Sequence, residues 1–354
     1  MLKLSSKFKK HNLQFIQPGG TSRGVLNSKD SWYLMIWDTD QPDYMGIGEC
    51  GIIPGLSIDD RVDFENKLLE VVADINNFKY WLKEGLREFP AIRFGLETAL
   101  LDLNMQSDRI LFPSDFTLGQ KGININGLVW MGSYNFMRKQ IIEKIDQGFR
   151  CIKLKIGAID FDDELKLLKM IRKDFNAEEL ELRVDANGAF TEGEALEKLK
   201  RLSEFSIHSI EQPIKQKQIE QMAELCQLSP LAIALDEELI GVTDKQNIRT
   251  ILHTIRPDFI ILKPGLLGGF KQSEVFINEA EKLGIKWWVT SALEGNIGLN
   301  AIAQWTYTLN NPMPQGLGTG KLFSNNIPSP LLIDNAQLFY KPNKYWNLNY
   351  INHD

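Results

Sequence analysis

Five short apolar segments recur through the middle of the chain at a nearly constant interval, and each ends in a charged side chain. The charged residues, separated in turn by 30, 26, 25 and 27 residues, are Lys155, Asp185, Glu211, Asp236 and Lys263. An interval of this length fits one β-strand, a loop and a return helix. Amphipathic patterns over residues 161–175 and 192–205 predict two of those helices. The middle of the chain is therefore predicted to be a run of βα units.

The same rhythm extends to both sides, and eight units close a barrel. Residues 123–129 are predicted as the first strand, and residues 286–291 and 314–318 as the seventh and eighth. The predicted fold class is α/β, a TIM-type (modified β/α) barrel with an N-terminal α+β capping domain. We expect a capping domain over 1–120, the barrel over 121–320, and a C-terminal tail over 321–354 that packs back on the capping domain.

The capping domain does not follow the βα rhythm. Alternating apolar residues predict antiparallel strands over 31–38 and 46–50. Longer amphipathic patterns predict helices over 59–80 and 91–107. This mixture of strands and helices indicates a separate α+β unit.

Two glycine-bearing loops, residues 17–24 and 51–57, lie between the predicted strands of the capping domain. Loops of this kind either reach over the site of a neighbouring domain or serve as plain hairpin connections, and the residues alone weigh both equally. We expect Ser22 and Arg23 of the first loop to contact a substrate.

Composition excludes several classes of function. The 354 residues, 43% of them hydrophobic, are enough for a large core and more than one domain. A net charge of −6 without a basic tract argues against a nucleic-acid partner, and no apolar run is long enough to span a membrane. Three cysteines without disulfide-like spacing, and no apolar secretory segment after the basic first residues, predict a cytoplasmic location.

The charged strand ends predict a site. Strands buried on both faces consist of apolar residues, so a charge at the last position suits chemistry at the carboxyl-end rim of a barrel better than packing. Asp185, Glu211 and Asp236 would then lie on contiguous strands, where three carboxylates repel one another unless a cation lies among them. An all-oxygen set favours Mg²⁺, with Mn²⁺ as an alternative.

Lysines flank this predicted metal site. Strands two and six lie opposite each other in an eight-stranded barrel, so we expect Lys155 and Lys263 to face one another. A metal and a second lysine nearby would lower the pKa of a lysine towards that of a working base. Lys153 points to the same face as Lys155, and it is either part of the site or a structural ion-pair partner. Asn187 is expected to orient Asp185 or a bound water.

The motifs at these strand ends resemble the muconate lactonizing enzyme branch of the enolase superfamily. They are IKLKIG at 152–157, RVDANG at 183–188, IEQP at 210–213, ALDE at 234–237 and ILKPG at 261–265. The resemblance covers nearly the whole chain and implies a capping domain followed by a modified barrel. It also implies Mg²⁺ ligands at Asp185, Glu211 and Asp236, and acid/base lysines at Lys155 and Lys263.

Residues 289–300 bear on the substrate. Dipeptide epimerases of the family usually carry an Asp-x-Asp on this segment that holds a substrate ammonium, and this chain has none. Small polar side chains and open backbone N–H groups here suit a carboxylate instead. The substrate contacts that we expect from this segment are Thr290, Ser291, Leu293 and Glu294.

The resemblance implies a Mg²⁺-dependent dehydratase of menaquinone synthesis. Such an enzyme converts 2-succinyl-6-hydroxy-2,4-cyclohexadiene-1-carboxylate to o-succinylbenzoate through an enediolate, so the partner would be a small-molecule carboxylate. The sequence is also compatible with a homo-oligomer. Two alternatives stay open at this point: an N-acylamino acid racemase or dipeptide epimerase of the same superfamily, and a metal-binding barrel without catalysis.

Overall fold

The computed structural model describes residues 3–21 and 24–352, and it begins with an antiparallel three-stranded sheet. The strands are β1 (Leu4–Thr21), β2 (Gly24–Asp38) and β3 (Gln41–Gly51), with β2 in the centre. Because β1 and β2 stay paired as far as Thr21 and Gly24, the predicted loop 17–24 is largely strand. The contacts predicted for Ser22 and Arg23 lie outside the described residues.

Helices α1 (Phe64–Ala73), α2 (Phe78–Tyr80) and α3 (Pro90–Asn104) pack on one face of this sheet. The prediction of a single helix over 59–80 is wrong. After α1 the chain forms a 3₁₀ turn over Ile75–Asn77, then α2, then a π-helical turn over Trp81–Gly85. The Asn76 side chain bonds both the N–H and the C=O of Leu4 on β1, at 2.9 Å each, and this local tie competes with a continuous helix.

A parallel sheet of seven strands forms the barrel wall. It follows β4 (Ile123–Asn124) and consists, in spatial order, of β5 (Gly127–Val129), β6 (Cys151–Lys155), β7 (Glu181–Asp185), β8 (Ser209–Glu211), β9 (Ile233–Leu235), β10 (Phe259–Leu262) and β11 (Lys286–Val289). The strands are short and almost wholly buried, as a barrel covered on both faces requires. The predicted TIM-type barrel with a capping domain is therefore confirmed.

The eighth predicted strand, 314–318, is reduced to two single bridges. Gln315 pairs with Ile125 and Gly316 with Thr290, and these bridges close the barrel. The Gln315 side chain adds a third link, since its Oε1 accepts a hydrogen bond from the Val289 N–H at 2.7 Å. Proline at 312 and 314 removes two donors from this stretch, which explains why no regular strand forms.

Helices alternate with the barrel strands along the chain. They are α4 (Tyr134–Asp146), α5 (Phe161–Asp174), α6 (Glu192–Ser203), α7 (Ile219–Leu228), α8 (Lys245–Ile255), α9 (Pro264–Leu267), α10 (Phe270–Glu281) and α11 (Asn296–Thr308), with 3₁₀ turns at Glu237–Leu239 and Gly318–Lys321. The predictions over 161–175 and 192–205 are confirmed as α5 and α6. Local signals fix their starts, because Asp160 caps α5 and a Thr191–Glu194 capping box opens α6.

The tail returns along both domains. Phe323 forms a bridge with Phe15 of β1, and Ile327 and Ile351 pack with Tyr33 and Met35 on the outer face of the cap sheet. Strands β12 (Leu331–Asp334) and β13 (Gln337–Tyr340) form a hairpin that pairs with β4, and α12 (Asn349–Asn352) ends the described chain.

Two main apolar cores correspond to the cap and the barrel. Helix α3 contributes to both, since Ile92 and Leu96 belong to the cap core and Phe94 to the barrel core. We propose domain limits after residues 120 and 320 on this architecture. Within the described residues, no helix is both long and apolar enough to cross a bilayer.

Candidate active site

The predicted site residues converge at one end of the barrel. Register pairs Lys155 at the end of β6 with Asp185 at the end of β7, and Asp185 with Glu211 at the end of β8. Asp236 directly follows β9, and Lys263 directly follows β10. All five side chains are buried. The carboxyl ends of parallel strands meet at one rim, so the spacing in the sequence becomes proximity in space.

The first lysine pair binds two of the acids. Lys155 Nζ lies 2.6 Å from Asp185 Oδ2 and 2.8 Å from Asn187 Oδ1. Lys153 Nζ lies 3.1 Å from Asp185 Oδ2 and 2.7 Å from Glu211 Oε2. Lys153 therefore bridges neighbouring carboxylates, and both lysines also line the cleft above the barrel.

The opposite lysine holds the third acid. Lys263 Nζ is hydrogen-bonded to Asp236 Oδ2 and lies 3.7 Å from Glu211 Oε1. Three strands separate β10 from β6, so Lys263 and Lys155 flank the acids from two sides of the rim. Within the described residues, Glu211 Oε1 is buried and makes no hydrogen bond. The Lys263 ammonium lies beyond hydrogen-bond distance, so this oxygen can still accept a closer positive partner.

The pKa values of the two flanking lysines shift in opposite directions. Burial lowers the pKa of Lys155, the charges of Lys153 and Lys263 lower it further, and the attraction of Asp185 does not compensate. Burial also acts to lower the pKa of Lys263, but the charges of Asp236 and Glu211 raise it well above its usual range. Lys155 is therefore the lysine that loses a proton more readily, while Lys263 stays an ammonium.

The pKa values of two of the acids also shift in opposite directions. Burial opposes ionisation of Asp185, yet the positive charges of Lys155 and Lys153 hold its pKa well below the usual range. Burial and the neighbouring charge of Asp185 raise the pKa of Glu211 to about 8. Glu211 is therefore the acid whose negative charge is least compensated.

Asn187 follows β7 and contacts both the site residues and the turn after β9. Its N–H donates to Asp185 Oδ1 at 3.0 Å, its side-chain oxygen accepts from Lys155, and its amide donates to Glu237 Oε1 at 3.0 Å. The backbone at Asn187 is left-handed, with φ of 46°, a conformation that asparagine tolerates better than most residues. Asn187 thus ties Asp185 and Lys155 to the turn after β9.

Across residues 3–21 and 24–352, no three or more His, Cys, Asp and Glu side chains are already converged as a set of metal ligands. Ammonium groups of Lys153, Lys155 and Lys263 occupy oxygens of all three predicted ligands.

A cleft of about 980 Å³ opens above these residues, and both cap loops contribute to its wall. Gln17 and Gly24 come from the predicted loop 17–24, and Ile53, Pro54 and Leu56 come from the predicted loop 51–57. Lys153, Lys155 and Lys263 line its floor. The loops therefore lie over the barrel mouth, which favours the first of the two interpretations made from the sequence.

Residues 290–294 form another part of this wall. Thr290, Ser291 and Leu293 line the cleft. Thr290 Oγ1 is buried and makes no hydrogen bond to the part of the chain that the structure describes, whereas Ser291 Oγ lies 2.7 Å from Thr319 Oγ1. Glu294 is buried behind the segment, where its Oε2 accepts from the Ala292 N–H at 2.6 Å, and it does not line the cleft.

Sequence reasoning missed two residues of the cleft that flank β5, one on each side. Asn126 and Trp130 both line it, and Asn126 Oδ1 is buried without a hydrogen bond. Gln140 of α4 fixes Trp130 by bonding its N–H and its C=O, each at 3.0 Å. The rule that strand ends face the mouth could have found Trp130, but neither residue is charged, so neither stood out.

The comparisons with known proteins agree with this geometry. The family described as "Enolase C-terminal domain-like" matches residues 137–337. The structure of a muconate lactonizing enzyme from Pseudomonas fluorescens has a TM-score of 0.82 at 22% identity, covering 99% of this chain and 98% of that one. An enolase-superfamily fold is thus shared with a distant relative.

Two further matches narrow the assignment. An o-succinylbenzoate synthase from Desulfotalea psychrophila is 46% identical, covering 94% of this chain and 97% of that protein. The crystal structure of MenC from Desulfotalea psychrophila has a TM-score of 0.84 at 43% identity, covering 95% of this chain and 99% of that one. The chain therefore belongs to the o-succinylbenzoate synthase family of the enolase superfamily.

Proposed function

We propose that the protein is a Mg²⁺-dependent dehydratase, a carbon–oxygen lyase that forms o-succinylbenzoate from 2-succinyl-6-hydroxy-2,4-cyclohexadiene-1-carboxylate. The observation that carries this proposal is the geometry of the rim, where Lys155 and Lys263 flank three buried carboxylates from two sides. A base must lose its proton before it can accept one from the substrate, whereas a group that stabilises an anion must keep its charge. One lysine of each kind suits proton abstraction next to a carboxylate.

Lys155 is the proposed base. Its neutral amine takes the proton from the ring carbon that bears the carboxylate, and the C–H electron pair moves into the enediolate. The ammonium of Lys155 then returns a proton to the departing hydroxyl on the same face, so the C–O bond breaks and water leaves. One residue can serve both steps because the product ring becomes aromatic without any further proton transfer.

Lys263 is the proposed electrostatic partner. It stays protonated because Asp236 and Glu211 favour its charged form. Its ammonium lies on the other side of the acids from Lys155, where it can stabilise negative charge that develops on the enediolate. Little other chemistry is required of the protein, since aromatisation drives the elimination.

Asp185, Glu211 and Asp236 are the residues that would hold the divalent ion. The fit rests on two observations: all donors are carboxylate oxygens, which hard ions such as Mg²⁺ or Mn²⁺ prefer, and Glu211 Oε1 is buried without a hydrogen bond. When bound, such an ion supplies positive charge to the substrate carboxylate. Asn187 would orient Asp185 through its own N–H.

The cleft suits a carboxylate substrate with an apolar ring. Its wall combines apolar cap residues with the buried hydroxyl of Thr290, which makes no hydrogen bond to the described residues and can donate one to a carboxylate. We place the reaction in menaquinone synthesis and the protein in the cytoplasm. All three cysteines are free, and that state supports a reducing compartment.

Incubating the purified protein with Mg²⁺ and the cyclohexadiene carboxylate, and following the aromatic product by absorbance, tests the proposal. Parallel incubation with N-succinylamino acids in D₂O tests α-proton exchange. Dehydration at a typical enzymatic rate supports the proposal. Exchange without dehydration would instead identify a racemase, and bound Mg²⁺ without either reaction would identify a non-catalytic barrel.

A further inference from the structure

A buried charged cluster joins the cap to the segment that lines the cleft, and the mechanism above does not use it. Lys29 on β2, Glu49 on β3 and Glu294 of the barrel are each at most 2% exposed. Burial lowers the pKa of Lys29, while the charges of Glu49 and Glu294 oppose that shift. Three charged groups removed from water need one another and need hydrogen-bond partners, so their arrangement is specific.

Lys29 bonds the cleft segment directly. Its Nζ donates to the carbonyl oxygen of Leu293 at 3.0 Å, across the interface between cap and barrel. Leu293 has a left-handed backbone with φ of 59°, which is unfavourable for a branched residue and persists only when its surroundings hold it. The contact from Lys29 is one such constraint.

Glu49 holds the other end of the same segment. Its Oε1 accepts from the Gly295 N–H at 2.7 Å, and its Oε2 accepts from the Gly298 N–H at 2.9 Å. These N–H groups belong to the start of α11, where a negative side chain is favourable. Ser31 Oγ donates to Glu49 at 2.9 Å and fixes the carboxylate in place.

The same ammonium also lies against the start of cap loop 51–57. A Cβ atom built on Gly51 would lie only 2.6 Å from Lys29 Nζ. Residues Ile53 and Leu56 of this loop pack with Ala292 and Leu293 in a small apolar cluster at the mouth. Lys29 is thus in contact with both a cap loop and a barrel segment that line the cleft.

We propose that Lys29 is a positioning residue that holds residues 290–294 and the cap loop 51–57 in the arrangement that binds substrate. Its hydrogen bond goes to Leu293 rather than to Asp185, Glu211 or Asp236 on the floor of the cleft. We therefore expect it to act on substrate binding rather than on proton transfer. This inference rests on the proposed function, because it concerns the same cleft and the same substrate.

Lys29→Met tests the proposal, since it keeps the length of the side chain but removes its charge and its donor. We expect KM for the cyclohexadiene carboxylate to rise about tenfold or more while kcat changes less than about threefold. Glu97→Gln is the matched control. Glu97 is also a buried cap carboxylate that binds the start of a barrel helix, but its partners are the Phe270 and Lys271 N–H groups rather than residues 290–298. It should lower thermal stability without altering KM.

Gly51→Ala provides a milder variant in case Lys29→Met does not fold. The added methyl meets the end of a flexible side chain, so it shifts the ammonium rather than the fold, and we expect KM to rise about threefold. Unchanged KM in both variants would overturn the proposal. Equal changes of kcat and of KM in Lys29→Met and in the control Glu97→Gln would also overturn it.

Amide hydrogen exchange separates this proposal from the proposed function. Peptides covering residues 290–298 should exchange faster in Lys29→Met than in the wild type and in Glu97→Gln, whatever reaction the protein catalyses. Faster exchange in a protein that does not dehydrate the substrate would keep the positioning role and reject the function. Wild-type exchange in an active enzyme would reject the positioning role alone.

Discussion

The amine of Lys155 lies 2.6 Å from Oδ2 of Asp185, its register partner on the neighbouring strand. The proposed base is therefore paired with a proposed metal ligand. A divalent cation at Asp185 would compete with the ammonium for the same oxygen, and this competition would favour the neutral amine. The protonation state of the proposed base would then depend on whether the carboxylates hold a cation.

The two lysines should differ in kind when they are substituted. Lys155→Ala should lower the dehydration rate about 10³-fold and abolish exchange of the α-proton of a racemisable analogue, because no base remains. Lys263→Arg keeps a cation but misplaces it, since a planar guanidinium is not a compact ammonium, and should retain a small residual dehydration rate. Steady-state kinetics and proton exchange in D₂O measure both effects.

Lys286→Ala is the control, because Lys286 lies at the amino end of β11, away from the mouth. The wild-type rate should also rise with pH through the pKa of Lys155, since only the neutral amine accepts a proton. Near wild-type dehydration by Lys155→Ala, with Lys263→Arg inactive, would show that the roles are reversed.

Removal of the metal should abolish turnover, and added Mg²⁺ should restore it after EDTA treatment. Asp185→Asn, Glu211→Gln and Asp236→Asn should each remove most activity, because each loses a charged oxygen ligand. Asp258→Asn, at the amino end of β10, is the matched control. Turnover that is unaffected by EDTA would rule out the metal.

The same acid substitutions should affect the stability of the metal-free protein differently. Asp185→Asn leaves the buried ammonium group of Lys155 without its main counter-charge, and it should lower the free energy of unfolding by about 3 kcal/mol. Glu211→Gln removes a carboxylate whose raised pKa marks its charge as unfavourable, so it should be neutral or stabilising. Urea unfolding at pH 8 with EDTA measures both effects. Equal destabilisation by the two substitutions would contradict the inference that the charge of Asp185 is better compensated than that of Glu211.

The cap loops should control substrate binding more than chemistry. Ile53→Ala removes an apolar side chain from the cluster with Leu266 and Ala292 at the mouth, so KM should rise several-fold while kcat changes little. Leu69→Ala, on the exposed face of α1 in the same domain, should leave both constants unchanged. A ligand-bound structure in which both loops lie far from the ligand would refute this role.

Asp59 should make the cap less stable as the pH rises. Burial raises its pKa to about 7, although its Oδ2 accepts from the Ala91 N–H at 2.8 Å. The folded state therefore binds a proton that the unfolded state has lost, and stability falls as pH rises from about 4 to about 7. Asp59→Asn should remove this slope, worth on the order of 2–4 kcal/mol, in urea unfolding measured across that range. Exposed Asp43→Asn should keep the slope.

The barrel and its charged rim could be predicted because both follow from local regularities. One period of strand, loop and helix repeats along the chain, and the carboxyl ends of parallel strands meet at one rim. The charged residues at those strand ends must therefore converge: Lys155, Asp185, Glu211, Asp236 and Lys263. Helices α5 and α6 were predictable for the same reason, since their apolar periodicity and their N-terminal caps depend only on residues close together in the sequence. The break in the helix predicted over 59–80 was not, because its partner Leu4 lies 72 residues away.

The sequence by itself thus determined which residues gather at the barrel mouth, and the tertiary structure decided which partners each of them contacts there. Lys155 and Lys263 are chemically identical, yet their pKa values diverge because neighbouring strands give them different acids. The bond from Lys29 to Leu293 joins residues 264 positions apart, and that from Gly295 to Glu49 joins residues 246 apart. No local pattern encodes such contacts, because burial, charge pairing and close approach depend on which surfaces the folded chain brings together.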